Sequence, residues 1–131
     1  MKNFSDLPDT DLDIQIHVAA HRGSPQVQVT VNNDQPITVI PSAAGAQLRY
    51  RVPCRDALDI TLDLLGPDTS AALITRVRVD DFDFVPDYTH WAQYCSSPTT
   101  LLDQPGRWCI QLDRPFYCWL HEVTGQGWLF D

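Results

Sequence analysis

The chain predicts an all-β protein, an antiparallel β-sandwich of jelly-roll type. Three observations carry that expectation. Six stretches alternate apolar and polar residues with period two, the pattern of a strand buried on one face. The stretches are joined by Pro, Gly, Asn, Asp and Ser, the residues that favour turns. And 16 of the 17 acidic residues are Asp, while Lys and Glu, the usual coat of surface helices, occur once each. With 131 residues, 44% of them hydrophobic, the chain fits one domain with a core of its own.

Residues 1–11 are polar and acidic and read as an N-terminal arm ahead of a single domain over 12–131. Leu12, Ile14, Ile16 and Val18 then alternate with Asp13, Gln15 and His17. After the loop Arg22-Gly23-Ser24-Pro25, Val27, Val29 and Val31 mark a second strand. Asn32-Asn33-Asp34-Gln35 is a hairpin turn into a third strand over 36–40. Leu48, Tyr50 and Val52 make the fourth, with Arg49 and Arg51 turned to solvent. Leu58, Ile60, Leu62 and Leu64 make the fifth, and 73–79 the sixth, where Arg76 and Arg78 alternate with Val77 and Val79. Asp80-Asp81-Phe82-Asp83-Phe84 closes that strand.

The alternation stops over 85–103. There Tyr88, Trp91 and Tyr94, spaced by three, predict one short helix or an irregular insertion. Beyond it, 108–112 and 116–120 read as a closing pair of strands split by the break Asp113-Arg114-Pro115. Gly125-Gln126-Gly127 then turns the chain so that Trp128, Leu129 and Phe130 are buried, in this domain or in a neighbouring copy.

Seventeen acids against nine basic residues give a net charge of −8, which argues against nucleic acid as a partner. No apolar run is long enough to span a bilayer, so no membrane insertion is expected. The first residues, Met1-Lys-Asn-Phe-Ser-Asp-Leu-Pro, lack the apolar centre of a signal peptide and predict a soluble product made in the cytoplasm. Cys54, Cys95, Cys109 and Cys118 contain no Cys-x-x-Cys pair and read as buried thiols. Cys109 and Cys118 face each other only if the two closing strands pair.

The sharpest polar cluster is Asp80, Asp81, Asp83 and Asp87, since calcium is held by loop carboxylates. It lacks the spacing of an EF-hand loop, and the competing reading is a solvated acidic strand end. His121-Glu122 has no second histidine at zinc-helix spacing and reads as a strand-to-turn pair. His17 and His21, on one face of a strand, stand about 13 Å apart, too far to share an ion. Cys95 and His90 have no recognisable third group. Without a catalytic constellation, the chain is expected not to be an enzyme. Tyr88, Trp91, Tyr94, Trp108, Tyr117 and Trp119, with Trp128 and Phe130 beyond them, are either a stacking platform for a sugar ring or core and protein interface.

In length and strand rhythm, residues 12–84 resemble the calcium-dependent xylan-binding type of carbohydrate-binding module, through Ile14-Gln-Ile-His-Val18 and Val27-Gln-Val-Thr-Val31-Asn-Asn. The resemblance implies a small β-sandwich, a glycan ligand, and calcium held at Asp80, Asp81 and Asp83. From Gly106 onward, Pro115-Phe-Tyr-Cys-Trp-Leu120 and Gly125-Gln-Gly-Trp128 look instead like small structural proteins of tailed bacteriophages. That likeness implies a virion component of the tail, baseplate or capsid, made in the host cytoplasm and leaving the cell by lysis, which suits the lack of a signal peptide. It would dock through its aromatic C-terminal region to other virion proteins or to copies of itself, and present loops to a host glycan. Such a non-catalytic docking module is the expected function. A carbohydrate-binding module is the alternative, and a hydrolase ranks third.

Overall fold

The computed structural model describes residues 11–32, 35–67, 69–85, 100–103 and 107–124. They form β1 (Asp11–Arg22), β2 (Gln26–Val31), β3 (Ile37–Val39), β4 (Ala46–Pro53), β5 (Ala57–Gly66), β6 (Ala71–Val79), β7 (Phe82–Val85), β8 (Leu101–Asp103), β9 (Arg107–Pro115) and α1 (Phe116–Thr124). One sheet has the order β4-β1-β6-β7, with β8 also paired to β6, and the other has the order β3-β2-β5-β9. Every pairing is antiparallel. The six expected strands are all present, and the expected hairpin pairs Val27 with Val39 and Val29 with Ile37.

Between the sheets lies the apolar half of each alternation. Leu12, Ile14 and Ile16 of β1, Val27, Val29 and Val31 of β2, Leu58, Ile60 and Leu62 of β5, and Val77 and Val79 of β6 are inaccessible to solvent. Burying each side chain contributes about 1.5–3 kcal/mol, so the period-two pattern also fixes the register: a slip of one residue exchanges core for surface.

Two departures from expectation reshape the far end of the sandwich. Asp80-Asp81 does not close a strand but turns a hairpin, since Val79 pairs with Phe82 and Arg78 with Asp83. Asp80 has φ of 51°, a left-handed conformation that Asp and Asn tolerate because their short side chains bond locally. Asn32, φ 53°, does the same job at the end of β2. In each case the residue's amide donates to the carbonyl of an aspartate on the neighbouring strand and its side chain caps that aspartate's amide: Asn32 Oδ1 accepts from Asp59 N at 2.9 Å, and Asp80 Oδ1 accepts from Asp13 N at 2.8 Å.

The second departure is at Pro115. Residues 107–115 form one continuous strand, and 116–124 form a helix in place of the expected last strand. Phe116, Trp119 and Leu120 are buried, a spacing of three and four that belongs to a helix face. Pro115 suits the junction, because its missing amide proton is not needed ahead of a first helical turn. Cys118 therefore sits on a helix and cannot face Cys109 across a strand pair. Cys54, Cys109 and Cys118 are buried. Of the insertion expected over 85–103, residues 101–103 form β8, and 86–99 lie outside the described residues. So do Asp87, Tyr88, Trp91, Tyr94 and Cys95, the arm over 1–10, and Trp128, Leu129 and Phe130.

Candidate functional site

The aromatic residues that the sequence offered as a platform are, where described, interior. Trp108 and Phe116 have no accessible surface and Trp119 has 3%. Phe82 and Phe84 of β7 meet Phe116 and Trp119 of α1 with ring centroids 5.3–6.0 Å apart, within the range of favourable aromatic contacts. Tyr117 is half-buried, and its hydroxyl donates to Asp80 Oδ2. Burial, and then the adjoining Asp80 carboxylate, push that hydroxyl well above the ordinary tyrosine range. No described aromatic ring is fully exposed.

The aspartates differ in how far they are engaged. Asp80 accepts from the Asp13 amide and from Tyr117. Asp83 Oδ1 lies 4.0 Å from Arg76 Nε and 3.9 Å from Arg78 Nε, and Asp81 lies 3.7 Å from Arg78. Calcium gathers six to eight oxygens at about 2.3–2.6 Å. Among the described residues no three carboxylates, histidines or cysteines converge; Asp87, the fourth residue of the expected cluster, lies outside them. His121 and Glu122 lie in the helix, where Glu122 pairs with Arg114.

What remains is the outward face of the β4-β1-β6-β7 sheet. The strand registers place His17 opposite Gln47 on one side and Arg76 on the other, and Gln15 opposite Arg49 and Arg78. Arg51 stands opposite Asp13, and Asp83 opposite Arg78. Four of the nine basic residues of the chain therefore share one sheet face with Asp11, Asp13, Asp83 and Asp103, in a protein of net charge −8. A shallow depression of about 270 Å³, lined by Gln15, Ile16, His17, Gln47, Thr75 and Arg76, lies in it.

A β-bulge builds this depression. Between His17 and Val18 the register of β1 against β6 shifts, so that Ile74 pairs with Val18, Arg76 pairs with His17, and Thr75 is the extra residue. Ile74 and Val77 are buried while Thr75 and Arg76 between them both face outward, the re-aiming that bulges produce. Thr75 Oγ1 donates to the His17 carbonyl at 3.2 Å and also contacts His17 Nδ1. Nδ1 is thereby engaged, and Nε2 is the ring nitrogen left for a ligand. Gly45, φ 100°, completes the clamp: a Cβ there would collide with the His17 ring. Sequence inspection placed Arg49, Arg51, Arg76 and Arg78 outward. It missed His17 and Thr75 as a site, because the bulge that joins them leaves no local signal.

The neighbouring cations differ in how far they are neutralised. Arg49 binds Asp13 through Nε at 3.0 Å and Nη2 at 2.8 Å, which holds the Asp13 carboxyl below its usual range. Arg78 donates to the Asp80 carbonyl at 3.0 Å. Arg76, its side chain 48% exposed, has only the distant Asp83 oxygen. A larger hollow, about 490 Å³, lies near Asn32, Asp56 and Asp59. There Asp59 already accepts from Thr61 and Gln111, and its amide is bonded to Asn32.

No family model matches the chain, and no curated protein matches it in sequence. Among solved structures it is similar to the selenomethionine form of vCBM60, from work linking two families of calcium-dependent carbohydrate-binding modules by circular permutation. The likeness has a TM-score of 0.54 at 10% identity and covers 77% of this chain and 91% of that one. It is a likeness of fold.

Proposed function

We propose that this protein is a non-catalytic glycan-binding module, with the depression on the β4-β1-β6-β7 sheet as its binding surface. The observation that carries the reading is the set of side chains preorganised there: two primary amides, a guanidinium, and an imidazole held in place by Thr75 and Gly45. Such groups match the alternating donors and acceptors of sugar hydroxyls, and prior ordering lowers the entropic cost of binding. The similarity to vCBM60 over most of both chains supports it, because that protein is a carbohydrate-binding module on the same architecture. The depression holds no nucleophile oriented by a base and a third group, as covalent catalysis requires.

The calcium dependence of that neighbour is not carried over to Asp80, Asp81 and Asp83, because Asp80 is bonded to the Asp13 amide and Tyr117, and Asp83 lies between Arg76 and Arg78. The virion-docking reading loses its described support, since Trp108, Tyr117 and Trp119 are core or pinned rather than surplus surface. A glycan array followed by calorimetry tests the proposal. We expect at least one oligosaccharide to bind, equally with and without a chelator, and Gln47→Ala and Thr75→Val to weaken it. Absence of any glycan signal, or binding indifferent to both substitutions, overturns it.

A further inference from the structure

We infer that the ligand of this face is an acidic glycan, one carrying carboxylate groups such as uronate residues, with Arg76 as the carboxylate-binding residue and His17 Nε2 hydrogen-bonded to a neighbouring hydroxyl. The inference rests on the glycan-binding reading and narrows it.

The first argument is charge. On this face Arg49, Arg51, Arg76 and Arg78 are matched by Asp11, Asp13, Asp83 and Asp103, so the face is close to neutral in a chain where acids outnumber basic residues. Asp13 is committed to Arg49, and Asp83 is shared at 3.9–4.0 Å between Arg78 and Arg76 without reaching hydrogen-bond distance to either. Arg76 thus makes no hydrogen bond among the described residues. Its planar fork borders the depression beside His17, and a carboxylate accepts two parallel bonds from such a fork.

The second argument is the lack of a ring. No described aromatic side chain belongs to this face: Tyr50 pairs with Ile14 and Phe82 with Val79, both buried core residues. A neutral sugar would have only hydrogen bonds to gain, and these largely replace bonds to water. A carboxylate adds charge-assisted bonds of roughly twice the strength. The surrounding charge also selects. A long polyanion such as nucleic acid meets a −8 protein and, among the described residues, finds no stacking ring on the face, whereas a short acidic saccharide engages the arginines locally.

The test is calorimetry of the whole chain with tetragalacturonate, with a neutral oligosaccharide of the same length, and with a short single-stranded oligonucleotide. We expect the uronate to bind best, with affinity that falls as salt rises. Arg76→Ala should weaken it about tenfold or more, and Arg76→Lys, which keeps the charge and loses the fork, by an intermediate amount. Arg107→Ala, on the opposite sheet, should leave it unchanged, and melting curves of each variant check that the exposed substitutions leave the fold intact. Equal binding of the neutral sugar, or indifference to Arg76→Ala, overturns the acidic ligand while leaving a glycan-binding module standing. Oligonucleotide binding as tight as the uronate overturns it in favour of a general polyanion surface. If no saccharide binds, both readings fall.

Discussion

The aromatic end of the molecule and the outward face of the β4-β1-β6-β7 sheet make an instructive pair. The first is rich in the residues most often found in binding sites, yet it turns them inward: Phe84, Trp108, Phe116 and Trp119 are at most 3% accessible. The second has no described aromatic ring and is built from Gln, Thr, His and Arg on three neighbouring strands. Residue type alone misassigns the two. The difference lies in which groups have already found partners within the fold, because a satisfied donor or a buried ring has nothing left to offer a ligand.

Substitutions should therefore separate stability from binding. The largest effect is expected at the aromatic end: Trp119→Ala should lower unfolding free energy by about 3–5 kcal/mol in a urea titration. Arg76→Ala should change it by less than about 0.5 kcal/mol. Comparable losses from the two would erase the contrast. Gly45→Ala comes next, at about 1–3 kcal/mol, because it joins strained backbone to a collision with the His17 ring. Gly23→Ala, φ 66° with its nearest new contact at 3.4 Å, should cost less, about 1 kcal/mol. Of the two glycine variants, only Gly45→Ala should weaken glycan binding.

Tyr117→Phe removes the bond to Asp80 and should cost about 1 kcal/mol. It also has a signature in pH. The Tyr117 hydroxyl is raised in the fold by burial and by Asp80, so its contribution is complete below the ordinary tyrosine value of about 10 and is lost as pH rises beyond it. The variant should lack that part of the alkaline decline. The smallest effect belongs to Asp13, which is lowered chiefly by its hydrogen bond to Arg49. Its contribution is present above the ordinary carboxylate value, about 4, and fades as pH falls through the folded value. Asp13→Asn should do no more than shift the acid midpoint slightly.

The six alternating strands were legible because burial of one sheet face writes itself into every second residue, as in Leu12-Asp13-Ile14-Gln15-Ile16. The helix was not. Phe116-Tyr-Cys-Trp-Leu120 is made of residues that favour strands, and a short apolar run fits either period. It becomes helical because Phe82 and Phe84 offer a surface to its Phe116 and Trp119 face. The hairpin at Asp80 was hidden for a related reason: an acidic pair reads as a charge cluster until the left-handed backbone and the Asp13 amide are seen together. The candidate site was half visible. Alternation in β4 and β6 turned Arg49, Arg51, Arg76 and Arg78 outward, but their meeting around His17 depends on strands 58 positions apart and on a bulge.

The pairing of β9 with β5 bears on the order in which the sandwich can be completed. During synthesis, β1 to β6 emerge well before Arg107–Pro115, yet β5 has its outer neighbour only when β9 arrives. Until then Ile60 and Leu62 lack the Ile110 and Trp108 that pair with them, and the β5 edge is a template for another chain. A nascent protein halted near residue 103 would be exposed to association with its neighbours. The last described strand and the helix behind it thus also act as the step that makes the product safe to release.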